Sequence, residues 1–251
     1  MTDFGTRGWY VASLKGVIAQ RCPQAQLLDV THDVPPQDIL SGAFTLAAAA
    51  PWFPSGTVFA CVVDPGVGTD RPLIAGRADR WFFVGPDNGL LSLVFQRAAR
   101  LSLVRLTQRR YWLSEVSRTF HGRDIIAPVS AHLARGCPVQ RLGVPVRRYQ
   151  RLALPAVRRT TTAQYGRLLL SDAFGNLITN LPSNLLAEPA GWQVRFRRKP
   201  VRVVSSYAEG SAGELVALAG SAGYVELALR NASADSALRA RRGEPVELRR
   251  R

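Results

Sequence analysis

Val58-Phe59-Ala60-Cys61-Val62-Val63-Asp64-Pro65-Gly66-Val67-Gly68-Thr69-Asp70-Arg71 is an apolar run that stops at a carboxylate, two glycines and an arginine. A short, near-continuous β-prone segment of this kind is expected of a parallel strand buried on both faces. In open α/β sheets ligands gather beyond the carboxyl ends of such strands, which makes Asp64 a candidate site residue. Asp-Pro-Gly is equally an ordinary tight turn, and the local sequence leaves both readings open. The glycines lack the lysine of a phosphate-binding loop and the helix-opening spacing of a dinucleotide fingerprint.

Around this stretch, helical patterns at 10–20 and 38–50 alternate with strand patterns at 27–31, 58–63 and 81–84, which argues for α/β layers. An Arg- and Pro-rich stretch follows at 138–159, and then short strands near Leu168, Val194, Val203, Leu215, Val225 and Val246 with Gly-rich turns. The expected fold is therefore an N-terminal layered α/β domain with a mostly parallel sheet over 1–150, a linker over 151–164, and a smaller, barrel-like β domain over 165–251.

Three further clusters carry chemistry. Thr119-Phe120-His121-Gly122-Arg123-Asp124 precedes a helical pattern at 125–135 that is closed by Gly136 and Pro138. An imidazole just before a helix N-terminus is disfavoured as a cation, so His121 reads as a neutral ring able to accept a proton or position water; a surface or capping histidine is the alternative. Ser171-Asp172-Ala173-Phe174-Gly175-Asn176-Leu177-Ile178-Thr179-Asn180 follows an apolar strand and offers a carboxylate, an aromatic face and an amide that can read a base edge, or else its Phe-Gly-Asn makes an ordinary hairpin turn. In Thr2-Asp3-Phe4-Gly5, Asp3 can accept both hydroxyls of a ribose. His32 follows a strand pattern, His132 reads as structural, and no histidine pair has ligand spacing with Cys or Glu, so no metal site is expected.

Thr2-Asp3-Phe4-Gly5, Asp64-Pro65-Gly66-Val67-Gly68 with Arg71, Gly85-Pro86-Asp87-Asn88-Gly89, Phe120-His121-Gly122-Arg123-Asp124, Phe174-Gly175-Asn176-Leu177 and Gly220-Ser221-Ala222-Gly223-Tyr224 are each short. In this order, and spread over nearly the whole chain, they resemble the S-adenosylmethionine (SAM) hydroxide adenosyltransferases, or SAM hydrolases, relatives of the SAM-dependent fluorinases and chlorinases. The resemblance implies that water attacks ribose C5′ of SAM and displaces methionine, giving adenosine and L-methionine. SAM is then the substrate, and no cofactor is expected. Asp64, Arg71 and His121 fall on the family's Asp, Arg and His set, with Asp64 and His121 expected to orient the water and receive its proton while Arg71 fixes the carboxylate. Asp3 resembles the ribose-binding acid, Asn176 the adenine reader and Phe174 the wall beside the adenine. Asp172 and Ser221 resemble contacts to the methionine end, with Tyr207 and the backbone around Glu226 nearby. The family's trimer implies a homotrimer whose sites join domains of neighbouring subunits.

The halogenase relatives carry Tyr in place of the aspartate of Asp-Pro-Gly, and fluorinases carry Ser where this chain has Gly122. A carboxylate at Asp64 repels a halide in a dry pocket, so water is the expected nucleophile, with a halogenase of the same fold as the alternative. Many relatives have an acid that helps hold the methionine ammonium where this chain has Gly8. They also enter Thr-Asp-Phe-Gly through an apolar strand, whereas this sequence starts at Met1, so the native start is expected upstream.

With 33 basic against 18 acidic side chains and a formal charge of +15, the protein repels cationic SAM at long range, although salt screens this beyond about 8 Å. Asp3, Asp64 and Asp172 are expected to reverse the local potential. The same charge supports a rival of another class, a basic nucleic-acid-binding protein without catalysis. The arginines are scattered in pairs and in a tail (Arg239, Arg241, Arg242, Arg249, Arg250, Arg251) instead of forming one aromatic-interleaved stripe, so specific nucleic-acid binding is not expected. Dispersed Cys22, Cys61 and Cys137 form no paired framework and no apolar run reaches spanning length, so a cytoplasmic protein away from membranes is expected.

Overall fold

The computed structural model describes residues 1–186 and 191–250. The chain divides into two compact units, Met1–Leu152 and Ala153–Arg251.

In the first unit, helices α1 (Tyr10–Arg21), α2 (Ile39–Ala49), α3 (Ser92–Arg97) and α4 (Ala127–Ala134) cover a five-stranded sheet. Its strands are β1 (Val58–Ala60), β2 (Leu73–Ala78), β3 (Trp81–Pro86), β4 (Leu101–Leu106) and β5 (Gly143–Val146), in the order β1-β3-β2-β4-β5. Side chains alternate across the pleat, and both faces are apolar. Val62, Ala75, Val84 and Val104 join the core with α1 and α4. Their neighbours Val63, Ile74, Phe83 and Leu103 join a second core with α2 and α3. Asp38 caps α2, its carboxylate accepting from Ser41 N (3.1 Å) and Ser41 Oγ (2.6 Å).

The mostly parallel sheet expected from the apolar runs is not what forms. Only β1–β3 is a parallel ladder; β2–β3, β2–β4 and β4–β5 are antiparallel. Burial on both faces writes the same apolar run whichever way neighbours point, whereas strand direction follows from the connection. Asp79-Arg80, with Asp79 at φ +51°, joins β2 to β3 in two residues, which only an antiparallel pair allows. The pattern at 27–31 forms no ladder: Leu28 is 60 % exposed, and Thr31 O accepts from Thr2 N (3.0 Å). Thr2 itself bridges Val62 in parallel.

In the second unit β7 (Ala163–Ser171), β8 (Leu177–Pro182), β9 (Trp192–Phe196), β10 (Lys199–Val203), β11 (Leu215–Ala219), β12 (Tyr224–Leu229) and β13 (Pro245–Arg250) run in the order β13-β9-β10-β11-β12-β8-β7. The β13–β7 ladder (Val246↔Gly166) closes these seven strands into a barrel. Leu168, Leu181, Val194, Val225, Leu227, Val246 and Leu248 belong to its buried core. The two-residue β6 (Arg158–Arg159) pairs with β7, within the stretch read as a linker, and the short helix α5 (Ala234–Leu238) follows β12. Strand β8 is not among the expected strands because its Leu-Ile-Thr-Asn run continues directly from the Phe-Gly-Asn turn motif.

Candidate active site

Asp64 emerges directly after Val63, whose carbonyl accepts from Asn88 Nδ2 (2.8 Å). Asn88 Oδ1 in turn accepts from Leu90 N (3.1 Å), so the Gly-Pro-Asp-Asn-Gly loop clamps the strand end that presents Asp64. The chain doubles back through Gly66 and Gly68 to Arg71. Gly68 sits at φ +81°, and a Cβ there would lie 2.6 Å from the Arg118 carbonyl, so only glycine lets this loop lie against the one carrying His121. That second loop is held by fully buried Asp124, which accepts from Ser117 N (2.8 Å) and Arg123 Nε (2.6 Å). His121 then enters a π-helical turn, Gly122–Ile126, ahead of α4.

These loops bring the three expected groups together. Arg71 Nε lies 2.6 and 2.8 Å from the two Asp64 oxygens, and Arg71 Nη2 donates both to Asp64 Oδ2 and to His121 Nδ1, the latter at 3.0 Å. The side chains of Asp64 and Arg71 are 4 % and 10 % exposed. A guanidinium has only donors, so Nδ1 of His121 must be the acceptor and the neutral ring carries its hydrogen on Nε2. Burial first, and the Arg71 charge second, hold the His121 pKa below its ordinary value of 6.5, against the pull of Asp64, Asp124 and the Ser117 backbone. The ring is therefore neutral but cannot take a proton at Nδ1 while Arg71 stays in place. In this arrangement His121 can orient a reacting group through its Nε2 hydrogen.

Asp64 and His121 share a cavity of about 300 Å³ with Asp3, Phe4, Gln37 and Phe120. Asp3 Oδ2 accepts from Gln37 N (2.8 Å). Gln37, at φ +63°, was not picked out from the sequence, because nothing in Pro35-Pro36-Gln37 announces a left-handed glutamine.

The remaining expected residues, Asp172, Phe174, Asn176, Tyr207, Ser221 and Glu226, all line one cavity of about 860 Å³ in the second unit. Asp172 Oδ1 accepts from Phe174 N and Asn176 N, and its Oδ2 from Asn176 Nδ2, all at 2.9 Å. Phe174 is left 81 % exposed. Glu226 is 5 % exposed and accepts from the Tyr207 hydroxyl (2.8 Å). Burial raises the Glu226 pKa; the Tyr207 bond opposes the rise and the Asp172 charge adds to it. Among the described residues no group of three His, Cys, Asp or Glu side chains is placed to hold a metal, and no helix is long and apolar enough to cross a membrane.

Two expected outcomes arise here. Gly175 has φ +81°, and a Cβ would lie 2.6 Å from Ser233 Cβ and 2.9 Å from its Cα. Gly175→Ala is expected to cost about 1–2 kcal/mol in backbone strain alone and to displace Ser233 from the cavity wall, lowering the melting temperature and raising KM. An unchanged melt and KM would contradict this. Second, His32, His121 and His132 are all held below 6.5, in each case first by burial. The unfolded chain therefore binds more protons in the window just below that value, so the contribution these rings make is whole above about pH 6.5 and is lost as pH falls through it. Calorimetry across that window should show the melting temperature dropping with acidification.

The sequence matches the family descriptions "SAM hydroxide adenosyltransferase N-terminal domain" over residues 1–143 and "SAM hydroxide adenosyltransferase C-terminal domain" over 166–247. It is 42 % identical to the (R)-S-adenosyl-L-methionine hydrolase of Thermus thermophilus, across 99 % of this chain and 97 % of that one. A crystal structure of an uncharacterized conserved protein from Thermotoga maritima superposes with a TM-score of 0.91 at 34 % identity, covering 99 % and 98 % of the two chains. A fluorinase from Actinoplanes sp. is more distant, 28 % identical over 93 % of this chain and 90 % of its own. The chain belongs to the SAM hydroxide adenosyltransferase family.

Proposed function

We propose that the protein hydrolyses SAM to adenosine and L-methionine, with the (R) sulfonium epimer preferred, as the name of its Thermus relative suggests. The observation that carries this reading is the Asp64–Arg71–His121 contact set facing a cavity shared with Asp3. Water oxygen bonds to ribose C5′ as the C5′–S bond breaks; the bonding pair goes to sulfur and neutralises the sulfonium, so methionine needs no proton to leave. The proton of the water passes to Asp64 as the C–O bond forms and then to solvent. Arg71 fixes the carboxylate through Nε and Nη2, and His121, neutral with hydrogen on Nε2, orients the reacting groups. Alignment of this kind supplies about 7–11 kcal/mol, and general-base assistance about 10²–10⁴-fold in rate.

Asp3 takes the ribose hydroxyls. In the second-unit cavity, exposed Phe174 stacks on adenine and Asn176 reads its edge, while Asp172, Ser221, Tyr207 and Glu226 receive the amino-acid end. Two acids facing one cavity supply a local negative potential within a protein of net charge +15. The finer readings are a homotrimer in which neighbouring copies supply the two half-sites for one substrate, a cytoplasmic location, no bound cofactor and no specific nucleic-acid partner.

The test is incubation with each sulfonium epimer, with and without chloride, followed by chromatography. Adenosine alone is expected. 5′-Chloro-5′-deoxyadenosine would favour the halogenase chemistry; no turnover, together with steeply salt-dependent DNA binding, would favour the nucleic-acid reading.

A further inference from the structure

We infer that His32 is a positioning residue for Asp3, holding from both its ring and its carbonyl the turn that presents Asp3 to the cavity. This rests on the proposed role of Asp3 in binding the ribose. His32 is 7 % exposed and is not among the residues lining the Asp3 cavity. Its ring lies in a directed chain of hydrogen bonds. Lys15 Nζ donates to Asp29 Oδ2 (2.7 Å), and His32 Nε2 lies 3.0 Å from Asp29 Oδ1. A carboxylate only accepts, so Nε2 carries the ring hydrogen. That leaves the Nδ1 lone pair to accept from the Thr2 hydroxyl at 2.8 Å, and Thr2 Oγ1, committed as donor to His32, accepts in turn from Phe4 N at 3.2 Å.

The backbone closes the same turn from the other side. His32 O accepts from Gly5 N (2.8 Å) and Thr31 O from Thr2 N (3.0 Å). Asp3 is thus gripped on both flanks, at Thr2 by the ring and at Gly5 by the carbonyl of one residue thirty positions away. Its Oδ2 accepts from Gln37 N, and among the described residues its Oδ1 accepts no bond. Burial keeps the His32 pKa below the ordinary histidine value, so the ring stays in the neutral form that the relay requires. Thr2 is 1 % exposed, so a hydroxyl deprived of its imidazole partner has no water to turn to.

The experiment is a double-mutant cycle on the full chain. SAM kinetics, adenosine affinity by calorimetry and melting temperature are measured for Asp3→Ala, Thr2→Val, His32→Ala and His32→Asn, and for each of the last three combined with Asp3→Ala. Thr2→Val, isosteric with the native residue, and His32→Ala should each raise KM and weaken adenosine by about tenfold, the loss expected of one positioning hydrogen bond. In the Asp3→Ala background neither should lose anything further, because they act through that carboxylate. His32→Asn, whose Oδ1 can accept the Thr2 hydroxyl in place of Nδ1, should recover much of the affinity. Losses that multiply with Asp3→Ala in an active enzyme, or that follow the melting temperature alone, would overturn the assignment. A wild-type protein that releases no adenosine would instead overturn the underlying reading of the site.

Discussion

Asp64→Ala is expected to lower kcat for adenosine release by about 10²–10⁴-fold, the range for loss of a positioned general base. The carboxylate is where the Arg71 contacts converge and, with His121 Nδ1 engaged by a guanidinium, it is the group to which the proposed mechanism assigns the proton of the water. Stability should suffer as well. The Arg71 side chain is only 10 % exposed, and removing its carboxylate strands a buried cation, at a cost of about 3–5 kcal/mol. Rates must therefore be measured well below the melting transition, and Asp64→Asn serves as the companion, since it preserves volume while removing the charge and turning one acceptor oxygen into an amide donor that faces Arg71. An Asn variant that is folded and turns over at the wild-type rate would remove Asp64 from the mechanism.

Asp172→Ala is expected to act on binding, raising KM by roughly 10- to 150-fold with a smaller change in kcat. This is the equivalent of the 1.5–3 kcal/mol contributed by hydrogen bonds to a charged group. Its two oxygens organise the turn by accepting from Phe174 N, Asn176 N and Asn176 Nδ2, so the substitution loosens the Phe174 ring and the Asn176 amide together. Asp172→Asn separates charge from geometry: its amide nitrogen would face that of Asn176 unless Asn176 turns over and presents its opposite edge to the cavity. Unchanged KM values for both variants would show that this cavity does not bind substrate.

The candidate residues were legible because each sits in a short motif at a strand end or helix start, where local chemistry is visible in the sequence. Every one of them lies at one of the two cavities or, for Arg71, directly behind one. The partnership of His121 was not legible. Its tautomer depends on Arg71, fifty residues earlier, and no local pattern records which nitrogen a distant guanidinium will reach. Gln37 and His32 were missed for the same reason: one owes its importance to a left-handed backbone and the other to Thr2 across the fold.

By itself the sequence determined the layering, the α/β-then-β organisation and the family, because burial pattern and turn chemistry are local properties that one chain segment carries alone. Tertiary structure decided strand direction: an apolar run reads alike beside a parallel or an antiparallel neighbour, and whereas residues 58–60 pair in parallel with β3 as expected, the two-residue connection makes β2 and β3 antiparallel. It also decided the protonation pattern of the site, because a hydrogen-bond donor acts on whatever lone pair the folded chain brings within about 3 Å, irrespective of separation along the sequence.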